Sequence, residues 1–136
     1  MIRDIVHDPL FLGMPSMPAT EEDLPVAADL LETLQANAER CVGMAANMIG
    51  EDKAIIVVNV GFMDLAMFNP VITGKAEPYP TVEGCLSLAG VRRTERFRSI
   101  EVTYRDINWK KVSNKFTGFT AQIIQHEVDH LSGILI

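Results

Sequence analysis

Two helical patterns bracket a chain segment that can only be sheet. Ala54–Val60 reads AIIVVNV, a β-branched run that fits a buried strand. Farther on, Ile100, Val102 and Tyr104 alternate with Glu101, Thr103 and Arg105, the period-2 signature of a half-buried strand. Phe62–Ile72 is expected to hold another strand, broken at Asn69-Pro70. DINWKK reads as a hairpin turn into a further strand, and Glu83–Ser87 as extended chain. Before this region Val26, Leu30, Leu31, Leu34 and Ala38 recur at helical spacing, with Thr20 or Asp23 as cap and Pro25 in the first turn. After it, TGFTAQIIQHEVDHLSG reads as a helix with Phe119, Ile123, Ile124 and His130 on or beside one face and Gly133 near its end. The order helix, strands, helix predicts an α+β fold: mainly antiparallel sheet packed around a central C-terminal helix, with an N-terminal helix.

At 136 residues the chain is expected to form a single domain, 1–136, without repeats or low-complexity linkers. A net charge of −6 argues against nucleic-acid binding, which needs clustered Lys and Arg. No apolar run approaches the ~20 residues of a membrane span, and Asp4, His7 and Asp8 interrupt the N-terminal stretch. A cytoplasmic protein with no membrane partner is expected. In a reducing compartment Cys41 and Cys85 are expected to be free thiols.

The last helix carries the chemistry. On a helix, residues four apart lie one above the other, so His126 and His130 can aim two imidazoles at one point. Neutral imidazole is a ligand for Zn²⁺ and Fe²⁺. Glu127 sits on the same rim, placed to accept a proton from water activated at the metal; HExxH on a helix has this mechanism behind it. A catalytic site of this kind usually takes three protein ligands and leaves one position open. Only six residues follow His130, so the third ligand is expected upstream, and Cys85 in Glu83-Gly84-Cys85-Leu86-Ser87 is the best candidate. Taken alone, Cys85 would read as a small buried hydrophobe.

EGCLS followed about forty residues later by QHEVDHL resembles the second and third motifs of the peptide deformylase family. The family's first motif has the form G-Φ-G-Φ-A-A-x-Q, with Φ apolar, and Cys41-Val42-Gly43-Met44-Ala45-Ala46-Asn47-Met48 stands in its place. The three motifs occur in family order and span Cys41 to Leu131, about two-thirds of the chain.

The resemblance implies that Cys85, His126 and His130 bind one divalent metal ion per chain, typically Fe²⁺, with Zn²⁺ or Ni²⁺ able to replace it. Glu127 would be the general base and then the proton donor. The reaction would be hydrolysis of the N-formyl group from the first methionine of a new protein, releasing formate. One oxyanion donor would be the backbone N–H of Leu86. Substrate contacts would come from Val42, Gly43, Met44, Met48, Gly84, Arg92 and Ile123, with Val42, Met44 and Ile123 as walls of an apolar pocket for methionine. Core packing or surface charge is the competing role for each of them.

Two departures stand out. Met48 replaces the motif's Gln, and a thioether cannot donate a hydrogen bond to an oxyanion. Cys41 replaces the first glycine, which strains the loop if that position has a positive φ and is otherwise a buried thiol. Deformylases usually continue past HExDHL, whereas this chain reaches SGILI, which puts a ribosome contact in doubt. These departures make a non-catalytic or weakly active metal- and peptide-binding relative the alternative reading. Asp129 is either a solvated carboxylate or the partner of an arginine from Arg92–Arg98. His7 reads as a surface or capping residue.

Overall fold

The computed structural model describes residues 1–85 and 87–135. A short helix, α1 (Pro9–Leu12), precedes α2 (Leu24–Ala36). Five strands follow: β1 (Gly43–Ala45), β2 (Ile55–Asn59), β3 (Asp64–Cys85), β4 (Leu88–Arg105) and β5 (Lys111–Thr117). The last helix is α3 (Gly118–Leu131). The strands form one sheet in sequence order, β1-β2-β3-β4-β5, and every pairing is antiparallel. The expected α+β architecture is therefore present.

Local chemistry explains most boundaries. Thr20 and Asp23 form a reciprocal capping box ahead of α2: Thr20 N–H donates to Asp23 Oδ2 (2.8 Å), and Thr20 Oγ1 accepts from Glu22 N–H (3.3 Å). Pro25 sits in the first turn of α2, where its missing N–H costs nothing. The apolar stripe of α2 buries Ala27, Leu30 and Leu34 against β1 and β2. Leu30 and Leu34 each contribute about 1.5–3 kcal/mol of burial.

The expected break at Asn69-Pro70 does not occur. The chain takes a bulge there, with a register shift between Phe68 and Val71, and β3 continues to Cys85. Asn69 adopts φ +52°, which an Asn tolerates, and its side chain exchanges two hydrogen bonds with the backbone of Ala19 (2.8 and 2.9 Å). Tertiary hydrogen bonding thus turns a local stop signal into a bend within one long strand. The long β3–β4 hairpin carries the Glu83-Gly84-Cys85 segment to the face occupied by α3.

α3 lies against β1, β2, β4 and β5 and buries Ala121, Ile123, Ile124, Gln125, His126, Glu127, His130 and Leu131. Phe119, expected on the buried face, is instead 64% exposed. Among the described residues no helix is long and apolar enough to cross a membrane.

Candidate active site

Three elements converge on one cavity of about 520 Å³. α3 contributes Phe119, Gln122, Ile123, His126 and Glu127, a stripe at i, i+3, i+4, i+7 and i+8. The end of β3 supplies Val82 through Cys85. The segment leading into β1 supplies Arg40 through Gly43, and Met48 adjoins it.

Cys85 Sγ and ring nitrogens of His126 and His130 all lie within 4.8 Å of one another. The two Nε2 atoms are 3.1 Å apart. Donors bound tetrahedrally at ~2.0–2.3 Å from an ion stand about 3.3–3.8 Å from one another, so this cluster needs little movement to grip a cation. One soft thiolate with two imidazoles suits Zn²⁺ or Fe²⁺. The residues present fit a metal.

His126 is oriented from behind. Its Nδ1 lies 2.8 Å from Glu83 Oε1, which leaves Nε2 for the cluster. Glu83 is itself held by three donor groups: Arg96 Nε (3.1 and 3.0 Å) and Nη2 (2.7 Å), and Gln122 Nε2 (2.9 Å). Burial alone would raise the Glu83 carboxyl, but hydrogen bonds from His126 and Arg96 outweigh it and hold the group at about 2. Arg96 also donates to Asp129 Oδ2 (2.6 Å). The arginine that Asp129 meets is therefore Arg96, and it ties the helix to the hairpin. Burial would lower His126, yet its bonds to Cys85 and Glu83 prevail and carry the imidazole to about 10. An arriving cation must displace that proton.

Glu127 is 4% exposed, and its Oε1 has no hydrogen-bond partner among the described residues. Burial pushes its carboxyl up to about 7, with the His126 charge opposing. A buried carboxyl that titrates near neutrality and faces a cavity is a general-base candidate. Gly43 makes room for it. A Cβ built there would sit 2.6 Å from Ile123 Cγ2 and 3.2 Å from Glu127 Oε2, so only glycine lets β1 approach α3 this closely.

Of the residues expected to touch substrate, Val42, Gly43, Met48, Gly84 and Ile123 line the cavity. Met44 and Arg92 do not. Met44 is fully buried in the core, on the face of β1 opposite to the one Gly43 turns to the cavity. Arg92 lies on β4, where Nη1 donates to the Ala89 carbonyl (3.3 Å). Leu86 lies outside the described residues. Met48 Sδ accepts a hydrogen bond from Ala45 N–H (3.4 Å). Asn47 cannot stand in for the missing amide, because its Nδ2 donates to the His130 carbonyl (2.9 Å). Cys41 is not among the positive-φ residues, so no loop strain results; its thiol donates to the Gly43 carbonyl (2.7 Å). His7 Nδ1 meets the Ser87 carbonyl (3.1 Å), bracing the segment after Cys85 from the N-terminal arm.

Sequence reasoning gave Glu83 and Gln122 no role and left Arg96 as one of several arginines that could meet Asp129. The available signal was a glutamate two residues before the cysteine and an arginine cluster on the next strand, but nothing in the spacing says which arginine folds inward.

The polypeptide deformylase family profile matches residues 5–136. A curated peptide deformylase of Clostridium beijerinckii is 57% identical over 136 residues, covering 100% of both chains. The chain belongs to the peptide deformylase family. It is thus a hydrolase of a metalloenzyme family whose function is metal-dependent removal of the N-formyl group. A second deformylase, from Pelotomaculum thermopropionicum, is 47% identical over 97 residues, which are 71% of this chain and 63% of that one. The crystal structure of a peptide deformylase from Thermotoga maritima superposes with a TM-score of 0.89 at 30% identity, covering 99% of this chain and 95% of that one. A class I type b peptide deformylase from Acinetobacter baumannii, crystallised with Met-Ala-Ser bound, superposes at 0.87 with 28% identity over 99% of this chain and 97% of that one.

Proposed function

We propose that this deformylase acts in the cytoplasm on the formylmethionine end of nascent chains, with Fe²⁺ held by Cys85, His126 and His130 and Zn²⁺ or Ni²⁺ as possible replacements. The observation that carries the assignment of roles is the convergence of that cluster with the buried, unpartnered Glu127 on one cavity. A divalent ion in this donor set lowers the pKa of water and polarises a carbonyl.

The chain's own residues do the rest. Glu127 accepts the proton of the attacking water and delivers it to the departing amine nitrogen, a transfer suited to a carboxyl near neutrality. Glu83 fixes the His126 ring and its tautomer. The oxyanion role of the Leu86 N–H rests on its place in the EGCLS motif.

The peptide has a place to lie. Among the described residues β1 pairs only with β2, and Glu83-Gly84-Cys85 of β3 pairs only with β4. Both strands line the cavity with Val42-Gly43 and Val82–Cys85. An extended peptide between them would add as a strand, its first side chain toward Val82, Leu88, Phe119 and Ile123.

The test is formate release from a formyl-Met tripeptide by protein purified without oxygen and loaded with Fe²⁺, with Glu127→Ala as blank. Release above the blank is expected. A metal-loaded protein that releases none would overturn the reading and leave a metal- and peptide-binding relative, which Met48 in place of an amide donor would then explain.

A further inference from the structure

One charged side chain of the cavity has no part in the chemistry above. Arg40 lines the cavity beside Cys41 and is exposed, whereas Glu127 and His126 are buried. Its guanidinium is held against the C-terminal end of α2. Arg40 Nη2 donates to Asn37 Oδ1 (2.7 Å), and Asn37 Nδ2 donates to the Thr33 carbonyl (2.8 Å). The Arg40 N–H donates to the Asn37 carbonyl (2.9 Å), which fixes the turn as well. Among the described residues Arg40 has no ion-pair partner. Neither carboxylate lining the cavity pairs with it: Glu83 is taken by Arg96, Gln122 and His126, and Glu127 is buried. Arg40 is the cavity's one cationic Arg or Lys among the described residues.

Its position relative to a peptide follows from chain geometry. Gly43 abuts Glu127, so the reacting group lies beside Gly43. Arg40 is three residues back, at most about 10 Å along the chain. An extended peptide advances ~3.3 Å per residue. A strand lying along this segment therefore brings its second or third residue abreast of Arg40.

We propose that Arg40 is a specificity residue: it favours formylated peptides with Asp or Glu at the second or third position and disfavours Lys or Arg there. The proposal rests on the reading of the cavity as a formyl-peptide site. The rest of the molecule works against acidic peptides, because the chain carries a net charge of −6, so the preference has to arise locally.

The experiment compares formyl-Met-Ala-Glu-amide and formyl-Met-Glu-Ala-amide with their Lys counterparts. C-terminal amides remove the carboxylate that would itself reach Arg40. Kd is measured by calorimetry on metal-loaded Glu127→Ala, which binds without turnover, and kcat/KM on the parent enzyme. The better Glu peptide should bind about three- to tenfold tighter than its Lys counterpart at low salt, the range of one partly screened charge contact counted for attraction and repulsion. The ratio should fall to about one when Arg40→Ala is added, invert with Arg40→Glu, and shrink in high salt as exposed charges are screened. Equal affinity for Glu and Lys peptides, or a preference that survives Arg40→Ala, would overturn the proposal. Formate release from every peptide at equal kcat/KM defeats the Arg40 proposal and leaves the deformylase reading standing. A charge preference in Kd with no formate from the parent does the reverse.

Discussion

Glu83 Oε1 lies 2.8 Å from His126 Nδ1, and the same carboxylate is gripped by Arg96. Both Glu83 (8% exposed) and Arg96 (4% exposed) are buried, so removing the Glu83 charge leaves the Arg96 guanidinium out of water with only Asp129 beside it among the described residues. Replacing Glu83 by Gln should cost about 3–5 kcal/mol of folding stability and about 10–100-fold in metal affinity. Urea unfolding and competition with a chelator for Zn²⁺ measure the two separately. Glu83→Asp, which keeps the charge, should retain more of both. Metal affinity within twofold of the parent in Glu83→Gln would refute the orienting role.

Met48 lines the cavity with a group that accepts but cannot donate. A Gln there could keep the bond to Ala45 N–H through its carbonyl and turn its NH₂ to the cavity. Met48→Gln should raise kcat by at least about tenfold, toward the ~10²–10³ that one oxyanion donor is worth, with little change in KM. Steady-state formate release decides it. An unchanged kcat would mean that another donor already serves the oxyanion.

Gly43→Ala places a methyl 2.6 Å from Ile123 Cγ2 and 3.2 Å from Glu127 Oε2. Overpacking of this kind costs about 1–3 kcal/mol. Activity should fall further than stability, because the side chain displaced is the proposed base. In combination with Ile123→Ala the stability losses should be less than additive, since the clash disappears with Cγ2. Strict additivity in thermal unfolding would show that the backbone, not Ile123, absorbs the strain.

Cys41 responds to pH in the alkaline range. Burial, with the nearby Glu127 charge adding to it, pushes the thiol up from 9.0 to about 12. The folded pKa is raised, so its stabilising contribution is present below the unfolded value and is lost as pH rises through the folded one. Stability should therefore decline between about pH 9 and 12 more steeply in the parent than in Cys41→Ser. At pH 8, peptide mapping should show Cys41 slow to react with iodoacetamide until the protein is unfolded. Rapid labelling of the native protein would contradict this.

The proposed metal ligands and base could be picked out in the sequence because their geometry is local or is carried by short motifs. His126 and His130 share a face through helix periodicity alone, and Glu127 follows from its place beside them. The helix–sheet–helix order was legible for the same reason, since periods of 3.6 and 2 are properties of short windows. The sequence by itself could not decide where the chain continues past a local stop signal. Asn69-Pro70 reads as a break, and only the two hydrogen bonds to Ala19, 50 residues away, make it a bulge. Nor could it choose among Arg92, Arg93, Arg96 and Arg98. Only the pairing of β4 with β3 and the packing of α3 bring Arg96 between Glu83 and Asp129 and leave Arg92 outside the cavity. Met44 went to the core and Arg40 to the cavity mouth by the same kind of decision. Each depends on which side of a strand or turn meets another element, a long-range contact that no window of the sequence contains.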